Sequence, residues 1–262
     1  MRVLFATWLV AGLLGFSLRT ALAGSPPTIL IDEAHGEKFV VEAPGKLDLS
    51  GLADTLRSSG AKLEPNNKPL SAERLAHVDA LIISGAFKAF SPAEVDAVIG
   101  FVQRGGRLAV MLHIPFPLTP LLRQLHIDFS NGVIRERENL IGGEALNFQV
   151  KTLSPHALTQ NVESLSVFGA WALMNEDSSA TVIARSSPQA WIDLNGNNQL
   201  DKGDAVQSFA VAVVGQLGQG QFVVFGDDAI FQNQFLKDGN ATLAKNLACW
   251  LVPGECDKKH PI

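Results

Sequence analysis

The residues best suited to chemistry lie between Asp193 and Asp204, in the run DLNGNNQLDKGD. Counted from Asp193, oxygen donors fall at positions 1, 3, 5, 9 and 12 (Asp193, Asn195, Asn197, Asp201 and Asp204), with apolar Leu200 at position 8. That spacing is the donor pattern of a twelve-residue Ca2+ loop, because a hard cation collects six to eight oxygens. The expected ligands are side-chain oxygens of Asp193, Asn195, Asn197 and Asp204, the main-chain carbonyl of Gln199, and Asp201 directly or through water. An EF-hand carries Gly at position 6 and Glu at position 12, where this chain has Asn198 and Asp204. Asn tolerates a left-handed turn, and Asp still supplies an oxygen, so weak binding is expected, with Kd about 10⁻⁴ to 10⁻³ M. The flanks, Ala190 to Ile192 and Ala205 to Val214, are rich in Val, Phe and Ile and read as strands, which places the loop on a β-hairpin. The same Asp, Asn and Gly composition also builds an Asx-rich turn without an ion, so both readings stand at this point.

A second set of residues becomes visible once the elements around it are laid out. Thr28 to Ile31, Ala61 to Glu64, Val78 to Ser84 and Arg107 to Leu112 read as short buried strands. Leu49 to Ser58 reads as a helix ended by Gly60. Ser91-Pro92-Ala93-Glu94 opens another, with Ser as N-cap, Pro in the first turn and Glu completing a capping box. Val95, Val98, Ile99 and Val102 share one face of that helix, and Gly105-Gly106 stop it. A further helix follows Pro115 and Pro117 to about Leu125. From Ile127 to Val214 the pattern turns to shorter β-like segments. A strand from Gln221 to Phe225, the turn Gly226-Asp227-Asp228 and a helix from about Phe235 to Leu251 close the chain. Alternating strands and helices with continuous apolar strands predict an α/β fold with a mostly parallel sheet covered on both faces, and a β-rich insertion at about 127–214 that carries the calcium-type loop.

Ligands of such sheets bind beyond the carboxyl ends of the strands. The residues expected there are Asp32, Glu33 and His35 after the first strand, Ser84 and Gly85 after the third, His113 after the fourth, and Asp227 and Asp228 after the last. Carboxylates and imidazoles converging on one edge can hold a ligand or a metal, or act as acid and base. Asp, Ser and Gly also follow strands simply because they cap helices and make turns. Trp171, Trp191 and Trp250 sit in apolar runs and read as core, with an exposed Trp191 beside the acidic loop as a sugar-stacking alternative. No P-loop, dinucleotide fingerprint or GxSxG elbow is present.

Residues 1–23 read as a signal peptide: Arg2 gives a small positive start, Val3 to Leu18 is almost wholly apolar, and Ala21-Leu22-Ala23 is a small-residue cleavage site. Its removal takes 21 basic residues to 19 against 26 acidic ones, moving the net charge from −5 to −7. A nucleic-acid partner is therefore not expected, nor a membrane span after cleavage, and the location expected is the periplasm or outside the cell. In that oxidising setting the only two cysteines, Cys249 and Cys256, can form a disulfide across CWLVPGEC; two free thiols are the alternative.

The segments ILIDEAHGEKF, VDALIISG, SPAEVDAVIGFVQRGGRLAVMLH and GQGQFVVFGDDAIFQN resemble the class I glutamine amidotransferase-like superfamily. The chain is most similar to exported domains like the periplasmic part of gliding-motility ABC-transporter accessory proteins. The resemblance implies one flavodoxin-like three-layer α/β/α domain over 24–262. Amidotransferases place a nucleophilic Cys on a strand-to-helix elbow, and here the matching segment is His113-Ile114-Pro115-Phe116-Pro117, so the resemblance implies that their activity is lost. The expected function is a non-catalytic binding or accessory module of the cell envelope, with an envelope protein or glycan as partner and Ca2+ as a structural ion. The alternative is a metal-assisted hydrolase using Glu33, His35, His113 and Asp227.

Overall fold

The computed structural model describes residues 25–253. The chain runs β1 (Thr28–Asp32), α1 (Ser50–Ser58), β2 (Lys62–Asn66), β3 (Ala80–Ser84), α2 (Pro92–Gln103), β4 (Arg107–Met111), α3 (Thr119–Gln124) and β5 (Ile127–Val133). Short strands follow: β6 (Leu140–Ile141), β7 (Glu144–Val150), β8 (Thr152–Leu153), β9 (Leu165–Phe168), β10 (Trp171–Asn175), β11 (Ala180–Arg185), β12 (Trp191–Ile192) and β13 (Ala205–Val206). The chain then closes with β14 (Ala210–Leu217), β15 (Gly220–Phe225) and α4 (Asp238–Leu251). Strands order as β2-β1-β3-β4-β15-β14-β10-β5. The pairs β2/β1, β1/β3, β3/β4 and β4/β15 are parallel, and the extension through β14, β10 and β5 is antiparallel.

The period of two along the central strands decides which residues face which layer. Ile29, Ile31, Ala80, Ile82, Ala109, Met111, Val223 and Phe225 join Leu52, Leu56, Leu243 and Leu247 in one apolar cluster. Leu30, Leu81, Ile83, Leu108, Val110, Phe222 and Val224 join Val95, Val98, Phe101 and Leu122 in the other. Thus α1 and α4 cover one face and α2 and α3 the opposite one. Each fully buried Leu, Ile or Val contributes about 1.5–3 kcal/mol. β2 stays at the rim because its Pro65 lacks a ladder donor, and its outward Lys62 and Glu64 blunt the edge.

Helix α2 starts as its sequence predicts, with Ser91 and Glu94 forming the reciprocal capping box and Pro92 at the first position. The last helix differs from expectation: it begins at Asp238, not near Phe235. Residues 229–236 instead form a 3-10 turn and a bend, and the Phe235 ring stacks on Phe168 at 3.7 Å. Within the β-rich stretch, β5, β10 and β14 continue the central sheet, whereas β6-β7-β9 and β12-β13 form a three-stranded and a two-stranded sheet apart from it. Among the described residues no helix is long and apolar enough to cross a membrane. Residues 1–23 and Cys256 lie outside the described residues, so the signal-peptide and Cys249–Cys256 expectations fall there; Cys249 itself lies on α4.

Candidate functional site at the strand ends

The parallel strands deliver two polar networks to their carboxyl ends. In the first, Asp32 closes β1 and is 1% exposed. A short turn brings His35 back, with Nδ1 2.6 Å from Asp32 Oδ2 and Nε2 3.0 Å from Glu94 Oε1. The imidazole stacks flat on Phe90 at 3.6 Å. Glu94 is fixed from α2: its Oε2 accepts from the Ser91 amide and hydroxyl, and its Oε1 accepts from the Leu70 amide. Asn66, at the end of β2, donates to Asp32 Oδ1 and to the Lys68 carbonyl. Glu37 completes the group, and both of its carboxylate oxygens are shut off from solvent without a hydrogen-bond partner.

Electrostatics follow from this crowding. Burial, and then the Asp32 carboxylate, push Glu37 up to about 8, so it holds a proton at neutral pH. Burial also opposes charge on His35, but the hydrogen bond to Asp32 and the surrounding carboxylates outweigh it and raise the imidazole above its usual value. For Glu94, burial is outweighed by the Ser91 hydrogen bonds and the His35 charge, which hold it below the usual range. One ligand atom each from Asp32, His35 and Glu37 lie within 4.8 Å of one another, the one such His, Cys, Asp or Glu group among the described residues.

The second network stands on β3, β4 and β15. His113 Nδ1 lies 3.1 Å from Asp228 Oδ1, and that hydrogen bond, against burial, raises the imidazole above its usual value. The ring lies between Phe39 (5.4 Å, edge-on) and Phe87 (5.2 Å), and its side chain is 39% exposed. Trp171 Nε1 donates to the His113 carbonyl. Asp228 Oδ2 and the Ser84 hydroxyl are buried and find no hydrogen-bond partner. Gly85 takes φ +64, and a Cβ there would stand 2.8 Å from Asp228 Oδ2. The two networks share a wall, since the Phe87 and Lys88 amides both donate to the His35 carbonyl.

Of the residues expected at this edge, Asp32, His35, Gly85, His113 and Asp228 face these networks. Glu33 and Asp227 do not. Glu33 Oε1 accepts from the Val41 amide and holds the loop that follows β1. Asp227 Oδ2 accepts from the Phe168 amide and Oδ1 from the Ala229 amide. Backbone donors have claimed both residues, so the set Glu33, His35, His113 and Asp227 is divided and does not form one centre. Glu37 and Glu94 were missed by the sequence, the first in a polar loop and the second read only as a helix cap.

The acidic loop sits on the expected hairpin, β12 paired with β13, and Asn198 takes the left-handed φ of 62°. Asp193 accepts from the Gly196 and Asn198 amides, and Asp204 from the Leu194 and Asp201 amides. Asp201 Oδ2 accepts from the side-chain amides of Asn195 and Asn197, while the oxygens of those two side chains accept from the Asn197 and Gln199 amides. Trp191 is 7% exposed, with the Arg135 guanidinium 5.3 Å from its ring centre. It packs under the hairpin and is not available to stack on a sugar. A cavity of about 460 Å³ opens beside the hairpin, lined by Phe129, Met174, Leu194 and Phe209, away from the two networks.

The family model described as Domain of unknown function (DUF4350) matches residues 44–248. No curated protein matches the chain. Among solved structures, the N-terminal domain of mmIFT52 is similar at 17% identity and TM-score 0.68, covering 86% of this chain and 98% of its own. A ThuA-like protein from Bacteroides uniformis is similar at 16% identity and TM-score 0.55, covering 92% of this chain and 96% of its own. A cytoplasmic protein from Salmonella typhimurium LT2 is similar at 16% identity and TM-score 0.57, covering 86% and 99%. At such identities these likenesses speak for the α/β fold alone.

Proposed function

The chain belongs to the family described as Domain of unknown function (DUF4350), and from that premise we propose that it is a non-catalytic binding module of the cell envelope, engaging an envelope protein or glycan at its strand-end edge. The observation that carries this proposal is His113, half-exposed between Phe39 and Phe87 and oriented by Asp228. An aromatic-walled imidazole with a fixed tautomer is suited to gripping a ligand. It is poorly suited to acyl transfer, because among the described residues no nucleophile is hydrogen-bonded to it: the Ser84 hydroxyl at the neighbouring strand end is buried and finds no hydrogen-bond partner. Exposed Phe87 and Phe116 extend the apolar wall. The proposal includes a flavodoxin-like three-layer arrangement of the amidotransferase-like superfamily, supported by apolar clusters on both faces of the sheet. It also includes export by residues 1–23 and a structural Ca2+ on the 193–204 hairpin. The accessory role follows the resemblance to periplasmic transporter-accessory domains.

Site-specific photo-crosslinking in intact cells tests the edge. A photoreactive side chain at Phe87 should give a discrete protein or glycan adduct, and one at exposed Val206 should give none. Equal adducts from both positions, or none from Phe87, would refute the binding edge. Mass spectrometry of the protein recovered from the periplasm should show a chain that starts at Gly24.

A further inference from the structure

We propose that Asp32, His35 and Glu37 form a binding site for a divalent transition-metal cation of the Zn2+ class, with Glu94 orienting the histidine. This site is separate from the His113–Asp228 edge and stands whether or not that edge binds a partner.

Four observations converge on it. First, the donor set is one imidazole and two carboxylates whose ligand atoms lie within 4.8 Å of one another. Bonds of about 2.0–2.2 Å hold two donors on one Zn2+ at most about 4.4 Å apart, so a small side-chain adjustment would bring these atoms onto one cation. Second, the Glu37 carboxylate is a buried group with neither oxygen hydrogen-bonded. Burying such a group as a bare anion is costly, and a cation that replaces its proton would satisfy both oxygens. Third, the histidine is arranged as a metal ligand usually is. Its Nε2 faces Glu94 Oε1 at 3.0 Å and donates to that carboxylate, while Nδ1 shares a proton with Asp32 at 2.6 Å; a cation binding there would displace that proton and take Nδ1 as its ligand atom. A carboxylate behind the distal nitrogen is the common outer support of ligating histidines, fixing the tautomer and raising basicity. Fourth, that support is itself anchored, through Ser91 and the Leu70 amide on Glu94 and through Asn66 on Asp32.

The donor types select the cation. An imidazole favours Zn2+ and its first-row neighbours, whereas Ca2+ and Mg2+ prefer sites built of oxygen alone. The acidic hairpin at 193–204 has oxygen donors and no imidazole, so the two sites separate by cation. The ring stack on Phe90 and the near-complete burial of His35, 5% exposed, make this an enclosed position that would tie the loop after β1 to α2.

The test is a Zn2+ titration of full-length mature protein held in millimolar Ca2+, followed by calorimetry. Wild type should bind one Zn2+ with micromolar affinity or better. Glu37→Gln keeps the shape and removes the charge, and it should lose at least tenfold in affinity. Glu94→Gln retains a residue able to complete the capping box and should lose 10- to 100-fold, as for other outer supports. Thermal melts of both variants without Zn2+ verify that they are folded, and at a given Zn2+ concentration wild type should gain more melting temperature than either variant. X-ray absorption of the Zn2+ form should show a mixed nitrogen and oxygen shell. The proposal is overturned if wild type shows no saturable binding at micromolar Zn2+. It is equally overturned if Glu37→Gln binds as tightly as wild type, which would assign the ion to a surface histidine.

Discussion

Asp227 offers the sharpest quantitative test, because its pKa displacement runs opposite to the usual carboxylate case. It is 3% exposed, and burial, followed by the charge of Asp228, pushes it up to about 7. In the unfolded chain an Asp titrates near 3.9. Between those values the folded protein keeps a proton that the unfolded chain releases, so stability must fall as pH rises. The full displacement of about 3 units corresponds to roughly 4 kcal/mol, with a slope near 1.4 kcal/mol per pH unit between pH 5 and 6.5. That is a large share of a total stability of about 5–15 kcal/mol. Glu37, pushed up to about 8, and the raised His35 and His113 act with the same sign, their contributions disappearing as pH rises through the folded values. Carboxylates held low, such as Glu94, Asp193 and Asp201, lose their contribution only as pH falls through their folded values. Maximum stability is therefore expected in mild acid. Urea unfolding at constant ionic strength from pH 5 to 8 measures it, in wild type and in Asp227→Asn. The variant loses one of the two acceptors for the Phe168 and Ala229 amides, which costs about 1–3 kcal/mol at every pH, but its slope should be shallower by about one proton. A wild-type stability that is flat or rises from pH 5 to 8, or an unchanged slope in Asp227→Asn, would refute this account.

Three other outcomes follow from the same structure. Millimolar Ca2+ should raise the melting temperature of chelator-treated wild type, by a stabilisation of about 1.4 kcal/mol at ten times Kd, and should leave Asp193→Ala unshifted; equal shifts would make the hairpin an ion-free turn. Denatured, unreduced protein from the periplasm should show no reactive thiol if Cys249 and Cys256 are bridged, a bond that would contribute at most about 2–3 kcal/mol for so short a loop; two titratable thiols would rule the bridge out. NMR titration of His113 should give a pKa above 6.5 that falls in Asp228→Asn and in Gly85→Ala, where a Cβ would press on Asp228 Oδ2 at 2.8 Å from a left-handed φ; an unmoved His113 would remove Asp228 as its partner.

Much of the central sheet was legible because its strands are buried on both faces. Continuous runs such as TILID and ALIIS leave no choice of exposed side, and the Ser91 to Glu94 capping box fixed the start of α2 to the residue. The stretch from Ile127 to Val214 is legible as strands, but it is not legible which of them, β5, β10 and β14 among others, continue the central sheet and which form the small sheets β6-β7-β9 and β12-β13. β5 shows mixed burial, and β10 pairs with β14 at the single register Leu173 to Ala210. Such pairings depend on partners far away in sequence, which local periodicity does not encode. The start of α4 was misplaced for a related reason: apolar Phe235 fits a helical pattern, but its ring is held by Phe168 on β9.

The candidate site divides along a different line, between residue type and what the backbone has already claimed. Sequence order places Asp32, Glu33, Asp227 and Asp228 equally at strand ends, as Asp or Glu beyond an apolar run. Yet Glu33 and Asp227 each accept from main-chain amides, whereas Asp228 keeps one oxygen unpartnered and turns the other to His113. A carboxylate filled by amides stabilises a loop; one left open, or shared with an imidazole, remains available to a ligand. Glu94 shows that the two roles need not exclude each other, since one oxygen caps α2 while the other meets His35 across 59 residues of sequence. No spacing rule predicts that second contact, because it depends on how α2 lies against the end of β1. What the chain can bind is thus decided less by which acids stand at the edge than by how many backbone donors each has already met.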